Sequence, residues 1–140
     1  MTSSIEKPLD GKTIFIMEDD QFISRVYMKW LKALGAMTLV ANNGAIGLER
    51  LEREKADLIL LDLGMPGLNG YETLMNLKKN PVTAAIPVVI VTNTTVTEGG
   101  DSHKEIMEAG AAGILRKYET SLDELVKCVL THVNPRSKGA

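Results

Sequence analysis

The sequence reads Leu58-Ile59-Leu60-Leu61-Asp62, four consecutive apolar residues that end in an acid. Such a run, without polar alternation, is typical of a strand that is buried on both faces of a parallel sheet. A second run, Ile14-Phe15-Ile16-Met17, ends in the same way, at Glu18 and Asp19. In open α/β sheets, ligands bind at the carboxyl ends of the strands. These three acids are therefore candidate site residues.

Strand and helix patterns alternate on both sides of these runs. The predicted strands are about Thr13 to Glu18, Met37 to Ala41, Asp57 to Asp62, Val88 to Val91, and Gly113 to Arg116. Five strand–helix units in succession predict an α/β fold, a doubly wound parallel sheet with helices on both faces. Five strands fit the flavodoxin-like order 2-1-3-4-5, in which the first and third strands are neighbours. Glu18, Asp19 and Asp62 are then expected to meet at one edge of the sheet.

Local patterns also predict helix starts and buried faces. Asp20 is expected to be the N-cap of the first helix, on which Phe22 and Trp30 share the apolar face. Two Ser-x-x-Glu pairs predict capping boxes for the last two helices, Ser102 with Glu105 and Ser121 with Glu124.

Length and composition restrict the class of protein. The 140 residues, 44% of them apolar, fit one domain over residues 12–133, with a flexible lead-in over 1–11 and a tail over 134–140. The net charge of −2 with interspersed signs favours neither direct nucleic-acid binding nor a membrane surface. The single cysteine, Cys128, fits a reducing cytoplasm, where we expect the protein to be located. His103 and His132 are interpreted as surface residues without a cysteine or acid at ligand spacing.

Carboxylates that converge repel one another, so a chain that brings them together usually holds a cation there. An all-oxygen ligand set suits Mg²⁺ best. The sequence therefore predicts a magnesium site at Glu18, Asp19 and Asp62.

Four motifs occur in a fixed order at the carboxyl ends of the predicted strands. Glu18-Asp19 follows the first strand, Asp62-Leu-Gly-Met-Pro-Gly-Leu-Asn-Gly70 the third, Thr92 the fourth and Lys117 the fifth. With these motifs the chain, from about Lys12 to Val133, resembles the receiver domain of two-component response regulators.

The resemblance implies that Asp62 is the phosphoacceptor and that Mg²⁺ is the cofactor. Asp19, Asp62 and the backbone carbonyl of Gly64 would be metal ligands, with Glu18 acting mainly through coordinated water. Thr92 and Lys117 would contact the phosphoryl group. A carboxylate attacks a phosphoryl group poorly unless a cation offsets the negative charge, which supports the assignment.

The resemblance also implies partners. A sensor histidine kinase or phosphotransfer protein would supply the phosphoryl group, and a downstream effector would bind a changed surface on the fourth helix, fifth strand and fifth helix, about Ser102 to Val133. A homodimer through that surface is a further option. The protein would be a signalling receiver and not an enzyme, apart from self-phosphorylation and self-dephosphorylation.

Some residues depart from the family pattern. Tyr118 replaces a proline whose bond is commonly cis, so we predict a trans bond. Ile114 replaces a frequent aromatic residue, and Asn93 replaces a small residue. Three alternatives stay open: a binding module that works without phosphorylation, an aspartate-nucleophile phosphohydrolase, although Gly64 stands where its second acid would be, and, more weakly, a flavin carrier.

Overall fold

The computed structural model describes residues 7–65, 70–93, 101–117 and 119–133. The strands are β1 (Thr13–Met17), β2 (Met37–Ala41), β3 (Leu58–Leu61), β4 (Val88–Thr92) and β5 (Gly113–Arg116). The helices are α1 (Gln21–Ala33), α2 (Gly44–Arg50), α3 (Gly70–Lys79), α4 (Asp101–Glu108) and α5 (Leu122–His132).

The five strands form a parallel sheet in the order β2-β1-β3-β4-β5, which confirms the predicted topology. Met17 is the register partner of Leu61, so β1 and β3 end side by side. Alternate strand residues feed two hydrophobic clusters, one on each face of the sheet. Helices α1 and α5 cover one cluster, and α2, α3 and α4 contribute to the other.

The apolar face of α1 is narrower than predicted. Tyr27 and Leu31 are buried, but Phe22 is 76% and Trp30 42% exposed, so their assignment to the core was wrong. Phe22 and Trp30 precede Ile23 and Leu31 by one position each, which corresponds to about 100° of rotation around the helix. The sheet covers only the inner part of the apolar arc.

Helix starts were predicted in part. The Asp20 side chain accepts hydrogen bonds from the backbone N–H groups of Phe22 and Ile23, which confirms it as the N-cap. Ser121 and Glu124 form the predicted capping box of α5. Ser102 instead lies inside α4, so that predicted cap was wrong. A Ser-x-x-Glu pair can lie within a helix and does not by itself fix where the helix starts.

The described part of the lead-in, residues 7–11, packs on the domain. Leu9 is fully buried, and its backbone N–H donates to the Leu34 carbonyl at 2.9 Å. Gly35, with φ of 101°, ends α1, and a Cβ on it would lie 2.9 Å from the Asp10 backbone nitrogen. The packed domain therefore begins before Lys12, in contrast to the flexible lead-in expected there.

We expect Gly35→Ala to lower the free energy of unfolding by about 2–4 kcal/mol. A positive φ costs an L-residue about 1–2 kcal/mol, and the contact with rigid backbone adds to this cost. The comparison variant is Gly110→Ala, because Gly110 has φ of 110° and the atoms nearest to its Cβ would belong to the Lys78 side chain and not to the backbone. Urea unfolding measures both variants, and equal losses would contradict the role of the Asp10 contact.

Candidate functional site

Two acids are buried where β1 and β3 end. The Asp62 backbone N–H donates to the Met17 carbonyl and the Glu18 N–H to the Ala41 carbonyl, each at 3.0 Å. Glu18 is 3% and Asp62 4% exposed, whereas Asp19 is exposed. One carboxylate oxygen from each of Glu18, Asp19 and Asp62 lies within 4.8 Å of the others. The predicted convergence of the three acids is confirmed, and the cluster opens to solvent on the side of Asp19.

Lys117 reaches this cluster from the end of β5. Its backbone N–H donates to the Thr92 carbonyl at 3.0 Å, which continues the pairing of β4 with β5. Its Nζ lies 2.7 Å from Glu18 Oε1 and 3.0 Å from Asp62 Oδ2, and its side chain is only 6% exposed. One buried ammonium therefore bridges two buried carboxylates.

Burial and shared charge shift the pKa values of this group. Burial raises the pKa of Glu18 from its ordinary 4.5 to about 7, although hydrogen bonds from Lys117 and the Asp20 backbone act against the shift, and the Asp62 charge adds to it. For Lys117, burial acts to lower the pKa, but the hydrogen bonds to Glu18 and Asp62 outweigh it and raise the pKa. Lys117 is therefore a firmly charged ammonium, and Glu18 takes up a proton more readily than an ordinary glutamate does.

The loop after β3 fixes the orientation of the Asp62 side chain. The Gly64 backbone N–H donates to Asp62 Oδ1 at 2.9 Å, so Lys117 and Gly64 hold the two carboxylate oxygens separately. A Cβ on Gly70 would collide with Leu63 Cα and lie 2.7 Å from the Asp62 carbonyl oxygen. Glycine at that position lets the start of α3 pack directly against the loop.

The other predicted site residues lie around Asp62. Thr92 is fully buried at the end of β4, and Asn93 is exposed. A Cβ on Gly64 would lie 3.5 Å from Asp62 Oδ1 and 3.9 Å from Asn93 Oδ1, so Asn93 borders the same opening. Ile114 is half-buried against the core. The prediction of a trans bond before Tyr118 concerns a residue outside the described ranges.

One pair of residues was missed in the sequence. Cys128 and His132 are four positions apart on α5, so the statement that His132 has no cysteine at ligand spacing was wrong. Their Sγ and Nε2 atoms each lie 3.6 Å from the point where a Cβ on Gly113 would be. The helical spacing was the signal that could have revealed the pair.

Comparison with known proteins agrees with this geometry. The family model described as the response regulator receiver domain matches residues 14–130. The chain belongs to this family. Receiver domains are signalling domains of two-component systems, and the acidic cluster of this receiver lies at its strand ends.

Two curated bacterial proteins are similar to this chain over different lengths. The Regulator of RpoS from Escherichia coli is 30% identical over 129 residues, which cover 92% of this chain and 37% of that protein. Protein PilH from Pseudomonas aeruginosa is 39% identical over 79 residues, covering 56% of this chain and 65% of PilH. The chain thus spans only about a third to two thirds of these relatives.

A solved structure, the Mn²⁺-bound form of the response regulator Rcp1, is 28% identical with a TM-score of 0.72 and covers 86% of this chain and 90% of Rcp1. Within the described residues of the present chain, every helix is too short or too polar to span a membrane.

The donor set of the cluster fits a divalent cation. With all three carboxylates ionised, the Lys117 ammonium leaves two negative charges uncompensated. The donors are all oxygen atoms, which suits Mg²⁺ or Mn²⁺ better than thiophilic metals. A divalent cation would match both the charge and the chemistry of the cluster.

We expect Lys117→Met to tighten Mg²⁺ binding about tenfold. The Lys117 ammonium and the metal ion compete for oxygens of Glu18 and Asp62. Removing this positive charge, a few ångströms from the metal, should make the free energy of Mg²⁺ binding more favourable by at least about 1 kcal/mol. Calorimetric titration with MgCl₂ measures the affinity. Arg116→Met is the control, because it removes a positive charge from the preceding residue, whose guanidinium pairs with the exposed Glu119. Unchanged or weaker binding in Lys117→Met would contradict the competition.

The raised pKa of Glu18 predicts a pH-dependent stability of the metal-free protein. The folded protein binds the Glu18 proton more tightly than the unfolded chain does, so protonation of Glu18 stabilises the fold. This stabilisation is complete below about pH 4.5 and is lost as the pH rises through about 7. The loss should be about 1–2 kcal/mol, allowing for solvent screening at the open side. Urea unfolding in EDTA across this range should show the decline, and Glu18→Gln should reduce it. An identical pH profile in both proteins would rule out Glu18 as the cause.

Proposed function

We propose that the chain is a phosphoacceptor receiver in which Asp62 takes a phosphoryl group in the presence of Mg²⁺. The observation that carries the proposal is the position of the Asp62 carboxylate, which is buried, beside two further acids, and in contact with Lys117 and the Gly64 N–H. These contacts fix the orientation of the Asp62 carboxylate as a nucleophile, and the Lys117 ammonium supplies positive charge beside it. The resemblance of the four sequence motifs to those of the family supports the same assignment.

Asp19, Asp62 and the Gly64 carbonyl would hold the metal ion, with Glu18 acting through coordinated water. When bound, Mg²⁺ supplies positive charge that offsets the repulsion between the carboxylate and the incoming phosphoryl group. The exposed carboxylate of Asp19 marks the side from which solvent and donor reach the cluster. The solved structure of Rcp1 is a Mn²⁺-bound form, which supports the binding of a divalent cation by this receiver.

In the transfer step, an Asp62 carboxylate oxygen forms a bond to phosphorus while the bond between phosphorus and the donor's histidine nitrogen breaks. Lys117 Nζ already donates to Asp62 Oδ2, and after transfer it would donate to a phosphoryl oxygen. Thr92 lies at the adjacent strand end and would supply a hydroxyl contact. Asn93, at the border of the Gly64 opening, would influence how water reaches the phosphorus.

Phosphorylation adds roughly 1.5 to 2 negative charges beside Thr92 and Lys117. Thr92 ends β4, which leads into α4, and Lys117 follows β5, which leads into α5. New contacts of these two residues with the phosphoryl group would therefore change the conformation of the surface formed by α4, β5 and α5. A sensor histidine kinase or phosphotransfer protein would act as donor, and an effector would bind this surface. Ile114 is half-buried on β5, where the family frequently has an aromatic residue. As an aliphatic side chain, it would contribute to a rearrangement of this surface only through its packing.

We expect incubation with Mg²⁺ and a small acyl phosphate to add one stable phosphoryl group to the wild type and none to Asp62→Asn. Intact-mass spectrometry with and without EDTA measures the product. The matched control is Asp20→Asn, because asparagine caps a helix as well as aspartate does, and the Asp20 carboxylate is bonded to its own helix start.

The same experiment separates the alternatives. Many turnovers of the phosphodonor without a stable product would favour a phosphohydrolase. No incorporation in the folded wild type would favour a binding module that works without phosphorylation, and either result would overturn the proposal.

A further inference from the structure

A second group of ligand-type side chains lies between α5 and β5. Cys128 and His132 are separated by one helical turn and therefore lie on the same face of α5. That face is directed at Gly113, the first residue of β5. Cys128 Sγ and His132 Nε2 are each 3.6 Å from the point that a Gly113 Cβ would occupy. The thiol and the imidazole nitrogen therefore approach the same point, at ordinary contact distance from it.

Both side chains are available as ligands. Cys128 and His132 are half-buried, and neither side chain forms a hydrogen bond or ion pair within the described parts of the chain. A half-buried cysteine often acts only as a small apolar residue. Here, however, the nitrogen of a histidine approaches the same space, and no side chain fills it.

Sulfur and imidazole nitrogen together select a different metal class from the carboxylates of the acidic cluster. Zn²⁺ binds cysteine sulfur at about 2.3 Å and histidine nitrogen at about 2.0–2.1 Å, whereas Mg²⁺ prefers oxygen atoms. Two side chains one helical turn apart are near enough to approach a single ion after changes of rotamer.

We propose that Cys128 and His132 bind a thiophilic divalent metal ion of the Zn²⁺ class over Gly113, with water completing the coordination. Binding replaces the thiol proton, which passes to solvent, and no oxidation or reduction takes place. The pair lies on α5 and faces Gly113 of β5, within the surface proposed to change on phosphorylation. A metal ion there would alter that surface independently of Asp62.

Cobalt absorption provides a direct test on the full chain. A thiolate bound to Co²⁺ gives a charge-transfer band in the near ultraviolet, and Cys128 is the only cysteine in the sequence, so any such band reports this residue. Excess Mg²⁺ is included to occupy the acidic cluster. We expect a saturable band that Zn²⁺ displaces, and absence of the band from folded protein would overturn the proposal.

Variants separate the pair from adventitious binding at the cysteine. His132→Asn, which retains the thiol, should weaken Co²⁺ binding by about tenfold or more. His103→Asn is the matched control, because it removes the other histidine of the chain from α4, and it should leave the affinity unchanged. An unchanged affinity in His132→Asn would show binding by the thiol alone and would overturn the proposed site.

Circular dichroism and phosphorylation of Asp62 in the same variants report folding. Since neither Cys128 nor His132 belongs to the acidic cluster, loss of the cobalt band and loss of phosphorylation can be told apart. A missing cobalt band would therefore leave the phosphorylation of Asp62 unaffected, and a missing phosphorylation would leave the metal site unaffected.

Discussion

The structure of the site depends on the buried contact of Lys117 with Glu18 and Asp62. Glu18 and Asp62 have almost no exposure, and burial of two neighbouring carboxylates is costly unless a positive charge lies beside them. The ammonium supplies that charge and joins the ends of β1, β3 and β5 at one point. The same contact makes the site responsive, since a metal ion or a phosphoryl group has to rearrange a network that already holds three strands together.

The sheet and the acidic cluster were predictable because their signals are local and strong. Unbroken apolar runs such as 58–61 indicate strands, and the topology then follows from the alternation with helices. Strand ends in a parallel sheet meet at one edge, so the convergence of Asp62 with Glu18 followed from the strand order. The roles of these residues in phosphoryl transfer rest on the family resemblance and remain predictions.

Two kinds of feature could not be predicted from the sequence. One is which part of a helix's apolar face meets the sheet, and the other is which residues far apart along the chain come into contact. Phe22 and Trp30 differ from the buried positions of α1 by a single step around the helix, and apolar character alone does not specify which part of the arc meets the sheet. The burial of Leu9 depends on Leu34 and Gly35, about twenty-five residues further along the chain. The convergence of Cys128 and His132 on Gly113 combines helical spacing, which is visible in sequence, with the packing of α5 on β5, which is not.

The docking of Leu9 beneath the end of α1 has a consequence for how this module can be joined to other proteins. A fusion or a trimmed fragment that started at Lys12 would lack the buried Leu9 side chain, and the Leu34 carbonyl would lose its hydrogen-bond donor. Because Leu9 pairs with the end of α1 and Lys12 with the start of β2, residues 7–11 lie at the edge of the sheet opposite the acidic cluster. This attachment therefore stabilises the domain without covering Glu18, Asp19 or Asp62.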